Sequence, residues 1–454
     1  MEMPARAKGK GDEKDPKKLA WWQLSLIGVG CIIGTGYFLG SGIGIMMTGP
    51  SILISFTLAG IGTYIVFEAL AKMSTQDPQK GSFRSYAKKA YGPWAGFSSG
   101  WVYWFSEMLI TGSQLTALSI LSRFWFPAVP LWMFASGYAI LGVIVVVIGT
   151  KGFERIQNVF AVIKVAAIMM FIVLAIAVLF GLFGGSSSDL QIPKNINEFM
   201  PKGMTGLWSS LIFGFYAFGG IEIMGIMTTR LRNKEDAKKS GTIMLILLTI
   251  IYLISLALAT LLVATNNFNM KESPFVIALD KYDLAFFPHV FNGGIIIAGF
   301  STMAASLFAV TSMVVTLSKD GDAPKFFSKK GKLKVQPFAL GLTICGLFTS
   351  IIFALLMPDR VYEYITTAAG LMLLYNWFFI LVSFPRLIKV TNFDQLKRFT
   401  GMALILLAVS GTLLHKTSRP GFFVSILFVA IVVIVLFIMH FIRKKKKNVY
   451  PKNI

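Results

Sequence analysis

Residues 28–44 read GVGCIIGTGYFLGSGIG and lie within an apolar stretch, residues 21–48. The longer stretch can cross the hydrocarbon core of a bilayer, which is roughly 30 Å thick. Near its middle, Gly34-Thr35-Gly36 places two glycines around a β-branched polar residue, which disfavours a continuous helix. Non-helical backbone at that depth is tolerated only where protein buries it or where it lines a watery cavity. The stretch therefore predicts a broken helix and a polar site near the membrane midplane.

The composition of the whole chain agrees with this interpretation. Of its 454 residues, 55% are hydrophobic and only 14% are charged, which indicates an all-α polytopic membrane protein and not a soluble enzyme. Residues 1–20 are polar and basic, so we expect no removable signal peptide. The two cysteines, Cys31 and Cys345, lie in apolar spans and predict neither a disulfide framework nor a metal centre.

The net charge of +22 is unevenly distributed along the chain. Most Lys and Arg residues fall in the N-terminal arm, the C-terminal tail and alternate loops between the predicted spans. The positive-inside rule then places both termini in the cytoplasm and predicts an even number of crossings of the cell membrane. The run RKKKK at residues 443–447 predicts contact with anionic lipid. The excess of positive charge thus indicates membrane lipid as a partner, and no nucleic acid.

Twelve transmembrane helices are predicted, and the sixth, residues 206–229, contains a second break. At its centre Gly219 and Gly220 are followed by Glu222. Because the broken helices are the first and the sixth, two five-helix units enter the membrane from opposite sides. The matched breaks predict the 5+5 inverted repeat of secondary transporters, whose substrate lies between the discontinuous helices. The alternative is a pair of glycine-rich kinks at helix contacts.

The predicted division of the chain follows from these spans. It comprises a cytoplasmic N-terminal arm (1–20), a first five-helix repeat (21–184), an extracellular loop (185–205), a second repeat (206–386), helices 11 and 12 (387–442) and a basic cytoplasmic tail (443–454). After the second span, SFRSYAKKAYG at residues 82–92 predicts a short amphipathic helix on the membrane surface.

Several motifs, in the same order along the chain, resemble those of bacterial amino acid permeases, the amino acid transporter family of the amino acid-polyamine-organocation (APC) superfamily. IIGTGYFLGSG in the first span is similar to the family's IGTGLFLGSG, and FGGIE in the sixth resembles FGGLE. IKV around Lys164, GFSSGWVYW at residues 96–104 and GDAPKFF at residues 321–327 also fit. The likeness covers about residues 21–386. It implies the APC fold of ten core helices plus two, and uptake of an amino acid, usually with a proton.

An amino acid zwitterion presents two charged groups that are costly to dehydrate. Free N–H groups after the first break, at Thr35, Gly36 and the following residues, can donate hydrogen bonds to its carboxylate, and freed carbonyls before the second break can accept hydrogen bonds from its ammonium group. Glu107 and Thr111 lie on one helix face, in the region that lines the pocket in similar transporters. The candidate substrate-binding residues are Ile33, Gly34, Thr35, Gly36, Glu107, Thr111, Tyr216, Ala217, Phe218, Gly219 and Gly220.

Four of the candidate residues have more than one interpretation. Glu107 can neutralise a basic substrate, carry a proton or pair with another helix. Phe218 is similar to an aromatic lid, with ordinary core packing as the alternative. Lys164 lies where related sodium-coupled folds hold an ion, so it can replace sodium and bind and release the coupling proton, or it can be a permanently charged lysine bonded to carbonyls of the first helix. Glu222 can carry a proton or brace the second break. Apart from the coupling proton, no cofactor is predicted.

Charges at the cytoplasmic ends of the helices depart from the family's pattern. Glu68 and Lys72 stand where the family usually has an arginine and then a glutamate, so the signs of the two charges are exchanged. Arg230 replaces an acidic residue, and Ser312 stands where arginine is common. The resemblance thus implies that the ion pairs closing the cytoplasmic side are rebuilt. Two functions remain open, a proton-coupled amino acid permease that works by alternating access, and a transporter-like sensor or exchanger without net proton-coupled uptake. The sequence contains no HExxH motif and no convincing nucleophile with its base, so it does not support an intramembrane enzyme. The sequence does not identify which amino acid is the substrate.

Overall fold

The computed structural model describes residues 18–79, 81–183, 190–270, 272–280, 282, 284–331, 335–356, 361–416 and 418–449. Within these ranges the regular structure is helical, apart from an isolated bridge between Leu19 and Leu231. The α-helices, in chain order, are α1 (Trp21–Ile32), α2 (Thr35–Phe38), α3 (Gly40–Thr48), α4 (Ile52–Gln76), α5 (Phe83–Tyr91), α6 (Pro93–Ser122), α7 (Leu131–Ile148), α8 (Thr150–Leu179), α9 (Ile196–Phe199), α10 (Gly203–Ala217), α11 (Ile221–Met227), α12 (Asp236–Leu262), α13 (Pro274–Leu279), α14 (Phe287–Lys319), α15 (Pro337–Leu356), α16 (Val361–Leu387), α17 (Asn392–Gly411) and α18 (Arg419–Val449).

Long apolar helices dominate the architecture. Among the described residues, eight helical segments are long and apolar enough to cross a membrane, judged by length and composition. Two more apolar helices are shorter, at Trp21–Ile32 and Pro337–Ile352. These helices confirm the prediction of an all-α, multi-pass membrane protein. The count of twelve crossings, the inverted repeat and the cytoplasmic location of the termini stay predictions.

The first apolar stretch is broken where its glycines predict. Helix α1 ends at Ile32, and Ile33 and Gly34 have extended backbone before α2 begins at Thr35. A Cβ atom added to Gly34 would lie 3.0 Å from the Cβ of Thr302 on α14. Glycine at position 34 therefore ends the helix and also allows α14 to approach the exposed backbone closely.

A second break separates α10 from α11 and lies next to the first. Gly220 has a φ of +117°, a conformation that glycine adopts readily and other residues avoid. A Cβ atom at Gly220 would lie 2.9 Å from the carbonyl oxygen of Cys31, in the last turn of α1. The two predicted breaks are thus confirmed, and they face each other inside the helix bundle.

The prediction that residues 82–92 lie on the membrane surface is wrong. Helix α5 packs into the protein, and Phe83, Arg84 and Tyr86 are buried. The Arg84 guanidinium pairs with the carboxylates of Asp320 and Asp322, which follow α14. An amphipathic pattern shows that a helix has an apolar side but not whether lipid or protein covers it. The sequence pattern therefore could not identify the partner of α5.

Further contacts close the face of the bundle on which α1 begins, which we call the N-terminal face. The Tyr91 hydroxyl on α5 donates a hydrogen bond to the Val382 carbonyl of α16 at 3.1 Å. Next to α1, the Leu19 N–H donates to the Arg230 carbonyl at 2.8 Å, and the Arg232 N–H donates to the Leu19 carbonyl at 2.9 Å. Backbone pairing therefore joins the start of α1 to the segment after the second break.

We predict that Arg84→Gln destabilises the protein by about 3 kcal/mol, because removing one partner of a buried ion pair leaves the other charge without compensation. The free energy of unfolding, measured by denaturant titration in detergent, tests this expectation. Lys89→Gln on the same helix is the matched control, since Lys89 pairs with Asp77 at an exposed site and its loss should change stability by less than about 1 kcal/mol. Equal effects of the two substitutions would contradict the prediction.

Candidate functional site

The first break presents the polar groups of Thr35 to two neighbouring helices. Its backbone N–H and its side-chain hydroxyl both donate to Oε1 of Gln114 on α6, at 3.3 and 2.7 Å. Its carbonyl accepts a hydrogen bond from the Tyr362 hydroxyl on α16 at 3.0 Å. The prediction of a free N–H at Thr35 is therefore wrong, because the chain supplies an acceptor from α6. Neither Gln114 nor Tyr362 is among the candidate residues that the sequence predicts.

At the second break, the carbonyls that were predicted to be free are partly used. The Tyr216 carbonyl accepts from the Gly219 N–H at 3.1 Å, and the Ala217 carbonyl lies 3.4 Å from the Tyr252 hydroxyl. Each carbonyl oxygen has two lone pairs, so each can still accept a further hydrogen bond.

Tyr216 joins the two breaks. A Cβ atom added to Gly36 would lie 2.8 Å from two carbons of the Tyr216 ring. The Tyr216 hydroxyl shares a hydrogen bond of 2.7 Å with Ser113 on α6. The backbone after the first break therefore packs directly against the side chain that precedes the second.

Phe218 occupies a packing position between α4 and α12. Its buried ring lies 5.3 Å from the Tyr252 ring on α12 and 6.4 Å from the Phe56 ring on α4, measured between centroids. This geometry fits the core-packing alternative better than the aromatic lid.

Glu107 and Thr111 are buried on α6, as a site near the membrane midplane requires. The Thr111 hydroxyl donates to the Glu107 backbone carbonyl at 2.8 Å and so satisfies itself within its own helix. The Glu107 carboxyl lies beside the side chains of Ser306 and Tyr103, and no lysine or arginine among the described residues forms a salt bridge with it. The polar groups directly beside the Glu107 carboxyl are thus hydroxyl groups.

Lys164 is fully buried and ties α8 to the end of α1. Its ammonium group donates to the Gly30 carbonyl at 2.5 Å and lies 3.3 Å from the Thr302 hydroxyl of α14. The Thr302 hydroxyl in turn lies 3.0 Å from the Ile33 carbonyl. Because α1 stops at Ile32, the Gly30 carbonyl lacks its usual partner within the helix and is available to the lysine. A bond from Lys164 to a carbonyl of the first helix is thus present, which both interpretations of this residue allow.

Glu222 braces the second break. One carboxylate oxygen accepts from the Gly220 N–H at 3.1 Å, and the other accepts from the indole N–H of Trp377 on α16. Glu222 is fully buried. The brace predicted as one alternative for Glu222 is thus present, and its second partner, Trp377, is not predictable from the sequence alone.

We predict that Glu222→Gln destabilises the protein by roughly 1–3 kcal/mol, because one amide oxygen cannot accept from both buried donors. Denaturant titration in detergent of Glu222→Gln, Trp377→Phe and the double variant tests this expectation. With the indole donor removed, the second substitution should cost less than it does alone. Additive effects of the two substitutions would contradict a shared brace.

The charged residues that depart from the family's pattern form ion pairs at the N-terminal face. Glu68 accepts from Lys238 at 2.9 Å and from Lys397, and lies 3.5 Å from Lys72. Arg230 pairs with Glu154 of α8. The exchanged charges therefore form ion pairs with residues of this chain. The Ser312 side chain lies at a half-buried position of α14.

A cavity opens on the opposite face of the bundle. Its volume is about 1050 Å³, and its lining includes Arg123, Asn292 and Tyr362. Because the Tyr362 hydroxyl binds the Thr35 carbonyl, the cavity reaches the wall of the first break. The broken helices are thus approached from one face, while ion pairs and α5 close the other.

Comparison with known proteins shows which family this chain matches and which proteins it is similar to. A family model described as amino acid permease matches residues 23–452. The uncharacterized transporter YcgH of Bacillus subtilis is 56% identical over 94% of this chain and 96% of that protein. The aromatic amino acid transport protein AroP of Corynebacterium glutamicum is 31% identical over 81% of this chain and 80% of that protein. The gamma-aminobutyric acid permease of Bacillus subtilis is 28% identical over 95% of this chain and 94% of that protein.

Proposed function

Because the chain belongs to the amino acid permease family, and is thus a transporter and not an enzyme, we propose that it imports an amino acid across the cell membrane together with a proton. The observation that carries the proposal is the pair of helix breaks at Gly34 and Gly220, which meet inside the bundle. Two discontinuous helices place backbone donors and acceptors around one point, as secondary transporters require.

The two breaks suit the two ends of a zwitterion. The substrate carboxylate binds the donors at Thr35 and Gly36, and the substrate ammonium group binds the carbonyls of Tyr216, Ala217 and Phe218. The Tyr216 ring packs against Gly36, so a ligand that bridges both breaks must contact this ring. Binding at both ends draws the two broken helices together and so favours closure of the site over the substrate.

Lys164 is the group we propose for the proton. Its ammonium group contacts neutral oxygens only, those of Gly30 and Thr302, and no carboxylate among the described residues forms a salt bridge with it. Burial of a charge without a counter-ion is costly, which gives the lysine a reason to release its proton. Loss of the proton weakens its hydrogen bond to α1 and allows the broken helix to move away from α8. Protonation and movement of the first helix are coupled in this way.

The test is uptake of labelled amino acids into proteoliposomes, with each of the twenty common amino acids as a competitor. We expect accumulation that depends on an inward proton gradient, disappears with a protonophore and does not require sodium. A sodium requirement without a response to the proton gradient would remove Lys164 from its proposed role. The competition panel would identify the substrate.

A second candidate is an amino acid sensor or exchanger without net proton-coupled uptake. It is favoured by the ion pairs at the N-terminal face, where Arg84, Glu68 and Arg230 are all paired, because breaking them to open this face is costly. Binding of an amino acid without net flux in the same vesicles would support this candidate over a permease.

A further inference from the structure

Gln114 connects α6 to the first break in a way that the proposed function does not use. Its side chain is buried, with 2% of its surface exposed. Its amide oxygen accepts two hydrogen bonds from a single residue, one from the Thr35 N–H and one from the Thr35 hydroxyl. One acceptor thus engages the first backbone donor after the break together with the adjacent hydroxyl donor.

The geometry of this contact resembles that of a carboxylate oxygen. A carboxylate oxygen has the same acceptor chemistry as an amide oxygen and binds N–H and O–H donors more strongly because it is charged. The Thr35 N–H and the Thr35 hydroxyl each carry one hydrogen, and both hydrogens are directed to the Gln114 oxygen. The Gln114 amide and a carboxylate therefore cannot both satisfy the Thr35 donors.

We propose that the Gln114 amide oxygen competes with the substrate carboxylate for the Thr35 donors, so that Gln114 sets the affinity for carboxylate-bearing ligands. This inference rests on the proposed function, since it takes the substrate to be an amino acid bound at the first break. When the carboxylate binds Thr35, the Gln114 side chain turns away. When the substrate leaves, the amide returns and satisfies the donors. Gln114 is thus a positioning residue that weakens binding and makes release easier.

Competition of this kind selects by chemical class. A carboxylate gains charge-assisted hydrogen bonds that repay the displacement of the amide, whereas a ligand without a carboxylate cannot displace it. The amine that results when the carboxylate of an amino acid is removed should therefore leave the bond between Gln114 and Thr35 in place. The competition discriminates against amines that carry the same side chain as the substrate.

The experiment measures binding to the full-length purified protein by the wild type, Gln114→Met and Gln114→Ala. Methionine keeps the length and approximate volume of the side chain, but its thioether sulfur is a much weaker acceptor than the amide oxygen. The probes are the common amino acid that binds the wild type most tightly and its decarboxylated amine, for example phenylalanine with phenethylamine or lysine with cadaverine. We expect both variants to bind the amino acid roughly threefold to tenfold more tightly, because a competing hydrogen bond has been removed, and to bind the amine as the wild type does.

Gln157→Met is the matched control. Gln157 is also buried, but its amide oxygen accepts from the Ser301 hydroxyl of α14 at 2.6 Å, and its amide N–H donates to the Ser301 carbonyl at 2.8 Å. A purely structural role for Gln114 predicts weaker or unchanged binding of the amino acid, and either result would overturn the inference. Tighter binding of the amine to the same extent would overturn it as well. If no amino acid binds the wild type, the proposed function itself fails, which is a distinct result.

Discussion

Replacing Lys164 by alanine is expected to abolish proton-driven accumulation of the amino acid while changing its binding affinity by less than about tenfold. The reason is that Lys164 contacts the Gly30 carbonyl and the Thr302 hydroxyl and not the donors at Thr35, so its loss removes the proton carrier but leaves the substrate-binding groups in place. Uptake with and without an inward proton gradient, and equilibrium binding to the same preparation, measure the two effects separately.

Two further substitutions distinguish a proton carrier from a fixed charge. Lys164→Met removes the charge at similar volume, so it should reproduce the alanine result without a large cavity. Lys164→Arg keeps a permanent charge that does not dissociate. If Lys164 carries the proton, the arginine variant should also lose accumulation, whereas a fixed charge predicts that it retains activity. Lys329→Ala, at an exposed position, is the control. Accumulation by Lys164→Ala at the wild-type rate would refute the assignment.

Valine at position 36 is expected to weaken amino acid binding by roughly a hundredfold, because overpacking in a tight interior is costly. A Cβ atom at Gly36 would lie 2.8 Å from the Tyr216 ring, so the two breaks could not keep their distance. Because Gly36 also supplies one of the proposed backbone donors, the displacement should lower affinity more than stability. Equilibrium binding together with thermal unfolding in detergent measures both.

The control for this substitution is Gly137→Val on α7, where no atom lies within 4 Å of an added Cβ. This variant makes the same exchange of glycine for valine within a helix but creates no steric conflict, so its affinity should equal that of the wild type. Wild-type affinity in Gly36→Val would show that the contact between the breaks does not shape the site.

Local chemistry explains which features the sequence could predict. The breaks at Gly34 and Gly220 were predictable because glycine destabilises a helix through its own backbone freedom, whatever the rest of the fold. Lys164 and Glu222 stood out because ionisable side chains are rare inside apolar spans. The general nature of their contacts also followed, since broken helices leave backbone groups that must find partners.

The specific partners were not predictable, because they come from helices distant in the chain. Gln114 is one of many polar residues on α6, and only the arrangement of the helices brings it to Thr35. Trp377 reaches Glu222 for the same reason. Arg84 was misplaced because the short helix that carries it has an apolar side that protein covers as readily as lipid.

The backbone pairing of Leu19 with the segment around Leu231 has a consequence for biogenesis. Leu231 follows Leu19 by more than two hundred positions, which corresponds to tens of seconds at a translation rate of roughly 5–20 residues per second. The partner of the amino-terminal segment is therefore synthesised only after the whole of the sixth span. During that interval the nascent chain must expose an unpaired backbone edge, on which membrane insertases or chaperones can act before the pairing forms.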